Sequence, residues 1–449
     1  MKVEGEMIMD KKWTLHVENF AKIKSADIEI APLMCFVGEN NTGKSYLMSL
    51  LWGILTLGKE IFPKTSSDAK SYKQCESWLR ENSNQNVILS VDVIDMYLEW
   101  FNELLTNNKK SLLKRLFNYD VDIEKIEIRE YKREKEFNLQ WEEESIRYSV
   151  SKNYIKFPKQ REYTREELLK MNAYICWNLL MDGIAAPLYT PLVRGRRTGE
   201  PVYLPASRTG FMLTFLQLVG KSIDRHFSQS VEEGSSILTL PYIDFLQLIT
   251  EFEQSNKKSK YADVIDFIEI EMTKGSINVK KEFFPVITYK PSGSNKELPL
   301  YVASSVVSEV SPMLLTLKSN INFKAIIIEE PEAHLHPELQ QKMAQFIIRL
   351  MNSGVLVWIT THSDTILQHI NNMIKLKNNK ERKILQEQYS YRGTDLLDIA
   401  DVKMYQFTKT EKQKTILEEL TSNKHGFVVP TFNKALQAIV EEVYAFQED

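Results

Sequence analysis

Short blocks of alternating apolar and polar residues run from Trp13 to Ile30, interrupted at Asn19 to Lys24, and this pattern predicts short strands joined by a turn. Leu33 to Val37 is a continuous apolar run of buried-strand length. A Gly-rich turn follows it. Beyond the turn, Leu47, Leu50, Leu51, Ile54 and Leu55 fall on one 3.6-residue stripe, which predicts a helix beginning near Lys44. From about Phe62 to Ala185 helical segments are mixed with a stretch, Glu124 to Tyr154, whose alternation (Lys125-Ile126-Glu127-Ile128-Arg129) predicts half-buried antiparallel strands. Apolar strands are predicted again at Val202 to Leu204, Ala325 to Ile328 and Val355 to Thr360. Pro205 to Gly210 reads as a turn and Lys375 to Lys383 as a solvated linker or loop. Pro337 to Met351 reads as a helix with proline in its first turn, where a missing N–H costs nothing.

Strand, glycine turn and helix at one end, with strand, helix and strand at the other, predict an α/β fold. Its mixed sheet with flanking helices is interrupted by a long α+β insertion. A chain of 449 residues is long enough for more than one lobe. Lys and Arg number 57 against 60 Asp and Glu, so the net charge of -3 announces neither nucleic acid nor membrane as partner, and any such surface is local. Cys35, Cys75 and Cys176 are odd in number and widely spaced without C-x-x-C, which argues against a disulfide framework or a zinc site and fits small core side chains in a reducing compartment. No apolar run approaches the ~20 residues a membrane span needs. The N-terminal Glu4, Glu6 and Asp10 interrupt any signal-peptide core, so a cytoplasmic location is expected.

The chemistry concentrates in three places. Gly38-Glu39-Asn40-Asn41-Thr42-Gly43-Lys44-Ser45 fits G-x-x-x-x-G-K-[ST] between a buried strand and an amphipathic helix. In such a loop backbone N–H groups and the helix N-terminus face the phosphates, Lys44 reaches the β- and γ-phosphates, and Ser45 ligates Mg²⁺, so ATP and Mg²⁺ are the expected ligands. Ala325 to Ile328 leads into Glu329 and Glu330 at a strand's carboxyl end, with Glu329 expected to hold the metal shell and Glu330 to act as general base. Thr360-Thr361-His362-Ser363 follows another strand, and a neutral His362 there can hydrogen-bond the γ-phosphate or the attacking water. Glu332, His334 and His336 have alternating spacing, yet they read as a loop at a subunit interface rather than a zinc cage. Arg194, Arg196 and Arg197 read as a solvated loop or a mobile contact loop.

The phosphate loop, Ile326-Ile327-Ile328-Glu329-Glu330-Pro331-Glu332-Ala333-His334-Leu335-His336-Pro337 and Thr361-His362-Ser363 together resemble the ABC-type ATPases related to chromosome-maintenance proteins, in particular the overcoming-lysogenization-defect group. The resemblance implies an ABC-type head: residues 1–60 and 201–370 forming two halves of the ATPase core, 61–200 an insertion lobe and 371–449 an α/β extension. It further implies a head-to-tail homodimer, or a higher oligomer built from it, in which a signature segment of one copy meets the γ-phosphate held by the other. Ala303 to Glu309 occupies the signature's place, with Ser304 and Ser305 as its contacts, but Val306 and Val307 replace the usual glycines. A polar cap for the following helix is the alternative reading. Leu204 to Gly210 resembles a segment common in that group, where Arg208 could contact phosphate, couple the insertion to the site or form a structural salt bridge.

Many members of that group carry a C-terminal nuclease. Here no Asp-x-Asp follows the acidic strand, and Asp395, Asp398 and Asp401 are spaced for one face of a short helix, so no nuclease activity is expected. The resemblance then points to ATPase subunits of two-gene phage-defence systems, PARIS first and Septu next. Their partner is a separate topoisomerase-primase-like or His-Asn-His nuclease, with a phage-encoded protein as trigger; DNA would bind weakly or indirectly. A RecF-like repair ATPase and a nucleotide-locked scaffold with little turnover are the alternatives. The absence of long heptads in the insertion argues against a coiled-coil arm.

Overall fold

Leu33–Gly38 is buried at every position because it lies in the interior of a sheet covered on both faces. The computed structural model describes residues 9, 11–65, 67–143, 147–151, 153–190, 192–193, 196–215, 238–253, 259–281, 285–410, 414–423, 426–428 and 440–446. Its main sheet contains, in chain order, β1 (Lys11–Phe20), β2 (Ile23–Glu29), β3 (Leu33–Gly38), β4 (Lys125–Arg133), β5 (Val202–Leu204), β6 (Ala325–Glu329), β7 (Leu356–Thr361), β8 (Val402–Lys409) and β9 (Thr415–Glu419). Across the sheet they stand in the order β5-β6-β7-β3-β8-β9-β2-β1-β4. The first five are parallel, as their continuous apolar runs suggest. The β8–β9, β2–β1 and β1–β4 pairs are antiparallel, which makes the sheet mixed.

Period-two alternation splits each parallel strand between two cores. Met34, Phe36, Ala325, Ile327, Leu356 and Trp358 face one core. Leu33, Cys35, Val37, Ile326, Ile328, Val357 and Ile359 face the other. The first core is closed by α1 (Lys44–Leu57), α2 (Lys70–Asn82), α3 (Val91–Phe117) and α4 (Arg165–Met181), so the insertion packs on the helix that follows the glycine loop. Its α4 starts with a reciprocal capping box between Thr164 and Glu167, the arrangement that Thr-x-x-Glu favours. The second core is closed by α5 (Leu240–Glu251), α6 (Ser305–Lys318), α7 (Pro337–Asn352) and α8 (Asp364–Lys377). Cys35, Cys75 and Cys176 are all buried free thiols, as their spacing predicts.

Several elements differ from the sequence pattern. The alternating stretch after Glu124 does not form one antiparallel unit. Lys125–Arg133 becomes β4 at the edge of the main sheet, whereas Asn138–Glu142 and Tyr154–Pro158 pair in parallel within a separate four-stranded sheet. The chain turns at Ala206 and Ser207 and is already helical at Arg208. The basic run at Lys375 is no linker: Lys375 and Lys377 complete α8, where cations oppose the negative helix end, and Arg382–Gln388 is a further short helix. Asp395, Asp398 and Asp401 do not share one helix face, because Asp395 is fully buried against Arg349 at 2.5 and 3.0 Å while Asp398 caps the next turn. Within residues 371–449, expected as an α/β extension, β8 sits beside β3 near the middle of the sheet. Arg194 lies outside the described residues, and Arg196–Arg197 pairs with Leu192–Val193.

His369 on α8 is buried, its Nε2 has no hydrogen-bond partner, and burial pushes its pKa down from 6.5 to about 4. The folded chain therefore holds a neutral imidazole that the unfolded chain protonates below pH 6.5, so this contribution is present above 6.5 and is lost as pH falls towards about 4. Chemical denaturation should show a loss of about 2 kcal/mol between neutral pH and about pH 5 that His369→Leu abolishes. An unchanged pH slope in that variant would contradict the assignment.

Candidate nucleotide site

β6, β7 and β3 are neighbours in parallel, with Glu329 in register with Thr360 and Thr361 with Val37. Their carboxyl ends therefore carry the two acids, His362 and the glycine loop side by side, the position where open α/β sheets bind ligands. Leu33–Gly38 delivers the loop and α1 leaves it at Lys44.

The loop needs three left-handed or extended-glycine conformations, at Gly38 (φ 140°), Asn41 (φ 62°) and Gly43 (φ 99°). A Cβ on Gly38 would lie 2.6 Å from the carbonyl oxygen of Phe407 on β8, so the first glycine is required by a neighbouring strand as well as by the turn. Gly43 precedes α1 and no side chain caps its first turn, leaving helix N–H groups for a ligand. Thr42 Oγ1 ties the loop to the Glu39 carbonyl at 2.8 Å, while Asn40, Asn41 and Ser45 are exposed. Lys44 Nζ folds over the loop and donates to the carbonyls of Gly38 and Glu39 at 2.9 and 2.7 Å. Burial lowers its pKa to about 8, although Glu330, Glu332 and Glu329 pull it back up.

The two acids sit in different surroundings. Glu329 is only 2% exposed; its Oε2 accepts from the Ala206 N–H at 3.2 Å and its Oε1 has no partner. A buried carboxylate with an orphaned oxygen suits a cation. Glu330 is half-exposed, and its Oε1 stands 3.8 Å from His362 Nε2. Burial and the Lys44 ammonium lower the His362 pKa, so the imidazole is neutral near pH 7. Glu332 accepts from the His362 backbone N–H at 2.5 Å, and burial raises its own pKa. His334 and His336 are exposed.

Mg²⁺ fits this donor set: exposed Ser45 and buried Glu329 would hold it, with phosphate and water supplying the remaining ligands such an ion keeps. Among the described residues no group of three or more His, Cys, Asp and Glu side chains is arranged to hold a metal alone.

Arg208 occupies a different position from that of a phosphate ligand. It is completely buried, ion-paired with the equally buried Glu309, and its guanidinium donates to the carbonyls of Glu329 (2.5 Å), Glu330 (3.0 Å), Pro205 (3.2 Å) and Glu309 (3.4 Å). Of the three sequence readings, the salt bridge describes it. Ser304 and Ser305 are exposed at the start of α6, and Ser304 stands at the cap position without making a capping bond. Val307 is buried and Val306 partly so, which turns both valines towards the helix core.

The sequence pattern passed over Lys409, whose Nζ pairs with Glu39 of the loop at 2.9 Å from the end of β8. It also passed over Gln340 on α7, which accepts from Ser363 Oγ at 2.6 Å behind His362. Neither residue belongs to a motif.

A glycine loop on a helix N-terminus, beside an acid-ended strand with a histidine-ended strand between them, defines a phosphate-loop nucleotide triphosphatase. The model of the AAA ATPase domain matches residues 13–180 and 221–367, and the chain belongs to that family. None of the curated proteins compared matches the chain. Among solved structures it is distantly similar to the SMC head bound to the C-winged helix domain of ScpA (12% identity, TM-score 0.36, 92% of this chain and 98% of that one). Similar too are the Pyrococcus furiosus SMC head with an extended coiled coil bound to the C-terminal domain of ScpA (11%, 0.33, 96% and 98%) and the Thermotoga maritima SMC head domain (10%, 0.31, 92% and 100%). No helix among the described residues is long and apolar enough to cross a membrane.

Gly38→Ala should force β8 away from the loop, costing about 1–3 kcal/mol of stability and most of the nucleotide affinity. Thermal melting and binding of a fluorescent ATP analogue check it, and a variant that melts and binds like the parent would refute the close approach of Phe407.

Proposed function

We propose that the chain binds ATP with Mg²⁺ and hydrolyses it at a site completed by a second copy. We further propose that it is the sensor and scaffold subunit of a cytoplasmic two-component phage-defence system, holding and releasing a separate effector nuclease. The observation that carries the catalytic part is the meeting of Lys44, the orphaned Glu329 oxygen, Glu330 and neutral His362 at three adjacent strand ends.

In this reading the loop N–H groups and the α1 N-terminus bind the phosphates, and Lys44 exchanges its two carbonyl partners for β- and γ-phosphate oxygens. Ser45 and Glu329 would hold Mg²⁺, which would offset phosphate charge. Glu330, open to solvent, accepts a proton from the attacking water, and His362 beside it orients that water or the γ-phosphate. The exposed Ser304 and Ser305 are the surface that would meet a partner's γ-phosphate. A nucleotide-locked scaffold with little turnover is the alternative, favoured by Val306 and Val307 standing where the signature's glycines would be. The defence assignment, the nuclease partner and the phage trigger rest on the sequence resemblance; a RecF-like repair ATPase is the competing outcome.

Glu330→Gln should retain ATP binding and reduce phosphate release by roughly 100-fold or more, since the amide keeps the shape but cannot take the proton. Undiminished release would place the base elsewhere. Light scattering should show ATP-dependent dimerisation of that variant, lost when Ser304 and Ser305 are both replaced by Trp; a persistent ATP-independent monomer would contradict the shared site. Phage plating on cells carrying this gene, its neighbour or both should show protection only with both. Tight DNA binding by this chain alone at physiological salt would instead favour repair.

A further inference from the structure

The Glu330 backbone is held in a conformation that its residue type disfavours. Its φ is +44°, in the left-handed region, and such a residue costs on the order of 1–3 kcal/mol unless its surroundings dictate it. Both ends of the residue are fixed. Its N–H donates to the Thr360 carbonyl at 2.9 Å and stands 3.2 Å from Thr360 Oγ1, and its C=O accepts from Arg208 Nη2 at 3.0 Å.

Arg208 in turn draws three segments together. Its rigid guanidinium reaches the Pro205 carbonyl on its own turn, those of Glu329 and Glu330 at the end of β6, and both the carbonyl and the carboxylate of Glu309 on α6. Thr209 Oγ1 holds the second oxygen of the Glu309 carboxylate. Both ionic side chains have zero exposure. A buried ion pair is a poor source of stability compared with apolar residues of the same volume, so stability alone does not account for this one. Geometry does: a hydrocarbon side chain could not hold the Glu330 carbonyl, and a lysine could not span all the acceptors.

We propose that Arg208 is a positioning residue that, through Glu309, fixes the Glu330 backbone and couples it to the N-terminal turns of α6. Glu309 lies one turn beyond the exposed Ser304 and Ser305, so a displacement of α6 when those serines meet a second copy is passed to the peptide that follows the general base. The inference rests on the assignment of Glu330 as base and of α6 as the surface facing the second copy.

The test compares the full chain with its Arg208→Lys, Thr209→Val, Glu330→Gln and Arg208→Lys/Glu330→Gln variants, measuring kcat, affinity for a fluorescent ATP analogue and thermal melting. Misplacing a catalytic group by about 1 Å costs up to about 100-fold, so Arg208→Lys should lower kcat by about 10- to 100-fold with nucleotide affinity unchanged. In the Glu330→Gln background the same substitution should have no further effect, because residues acting as one unit are not additive. Thr209→Val, which keeps the ion pair and loosens only Glu309, should lower kcat to a smaller extent at unchanged affinity, and it carries the test if Arg208→Lys fails to fold. A parallel fall of affinity and kcat, an unchanged kcat, or an additive loss in the Glu330→Gln background would overturn the inference. If Glu330→Gln itself hydrolyses ATP normally, the base assignment fails first and the two failures are distinguished.

Discussion

The adjacency of three parallel strands, β6, β7 and β3, is the constraint on which the molecule depends. Parallel pairing puts equivalent ends of strands on one side of a sheet, so segments far apart in the chain deliver a phosphate loop, a histidine and two carboxylates to one edge. Every residue of Ala325–Glu329 and Leu356–Thr361 is buried, and each strand is covered on both faces. The site thus stands on a support that cannot shift register without turning each strand's apolar side chains to the opposite core.

The same sheet explains how so long an insertion is tolerated. α2, α3 and α4 enlarge one core, α3 packs on α1 and β4 edges the sheet, while the opposite core is built from the later helices. The helix that leaves the phosphate loop is therefore braced from the insertion side. Gly53 on α1 shows how close that packing is: an added Cβ would stand 2.8 Å from the Leu116 side chain on α3.

At the site itself one lysine faces three carboxylates, and burial works against the charges of Lys44 and Glu332. Lys44 loses part of its affinity for a proton, Glu332 gains some, and Glu329 keeps an unpartnered oxygen. Such an arrangement is complementary to a ligand that brings both anionic phosphates and a divalent cation. Division of labour between the adjacent acids comes from their surroundings, since Glu329 ends the strand inside the core whereas the left-handed turn at Glu330 swings the next carboxylate into the open.

Continuous apolar runs locate the parallel strands, the 3.6-residue stripe locates α1, and Gly38 to Ser45 carries its chemistry in its spacing, because these are properties of contiguous residues. The order of strands, by contrast, is a matter of long-range pairing. Alternation around Lys125 predicts a strand but not that it leaves its neighbours to edge the main sheet. Nothing near Val402 signals that β8 lies against the phosphate loop, bringing Lys409 to Glu39 and making Gly38 obligatory. Arg208 is the clearest case, since its motif leaves phosphate contact, coupling and a salt bridge open, whereas burial and an ion-pair partner on α6 direct its guanidinium to the peptides of Glu329 and Glu330. Local sequence determined which groups can do chemistry; the tertiary structure decided which face a ligand and which face the backbone, because burial and partner geometry arise only when distant segments meet.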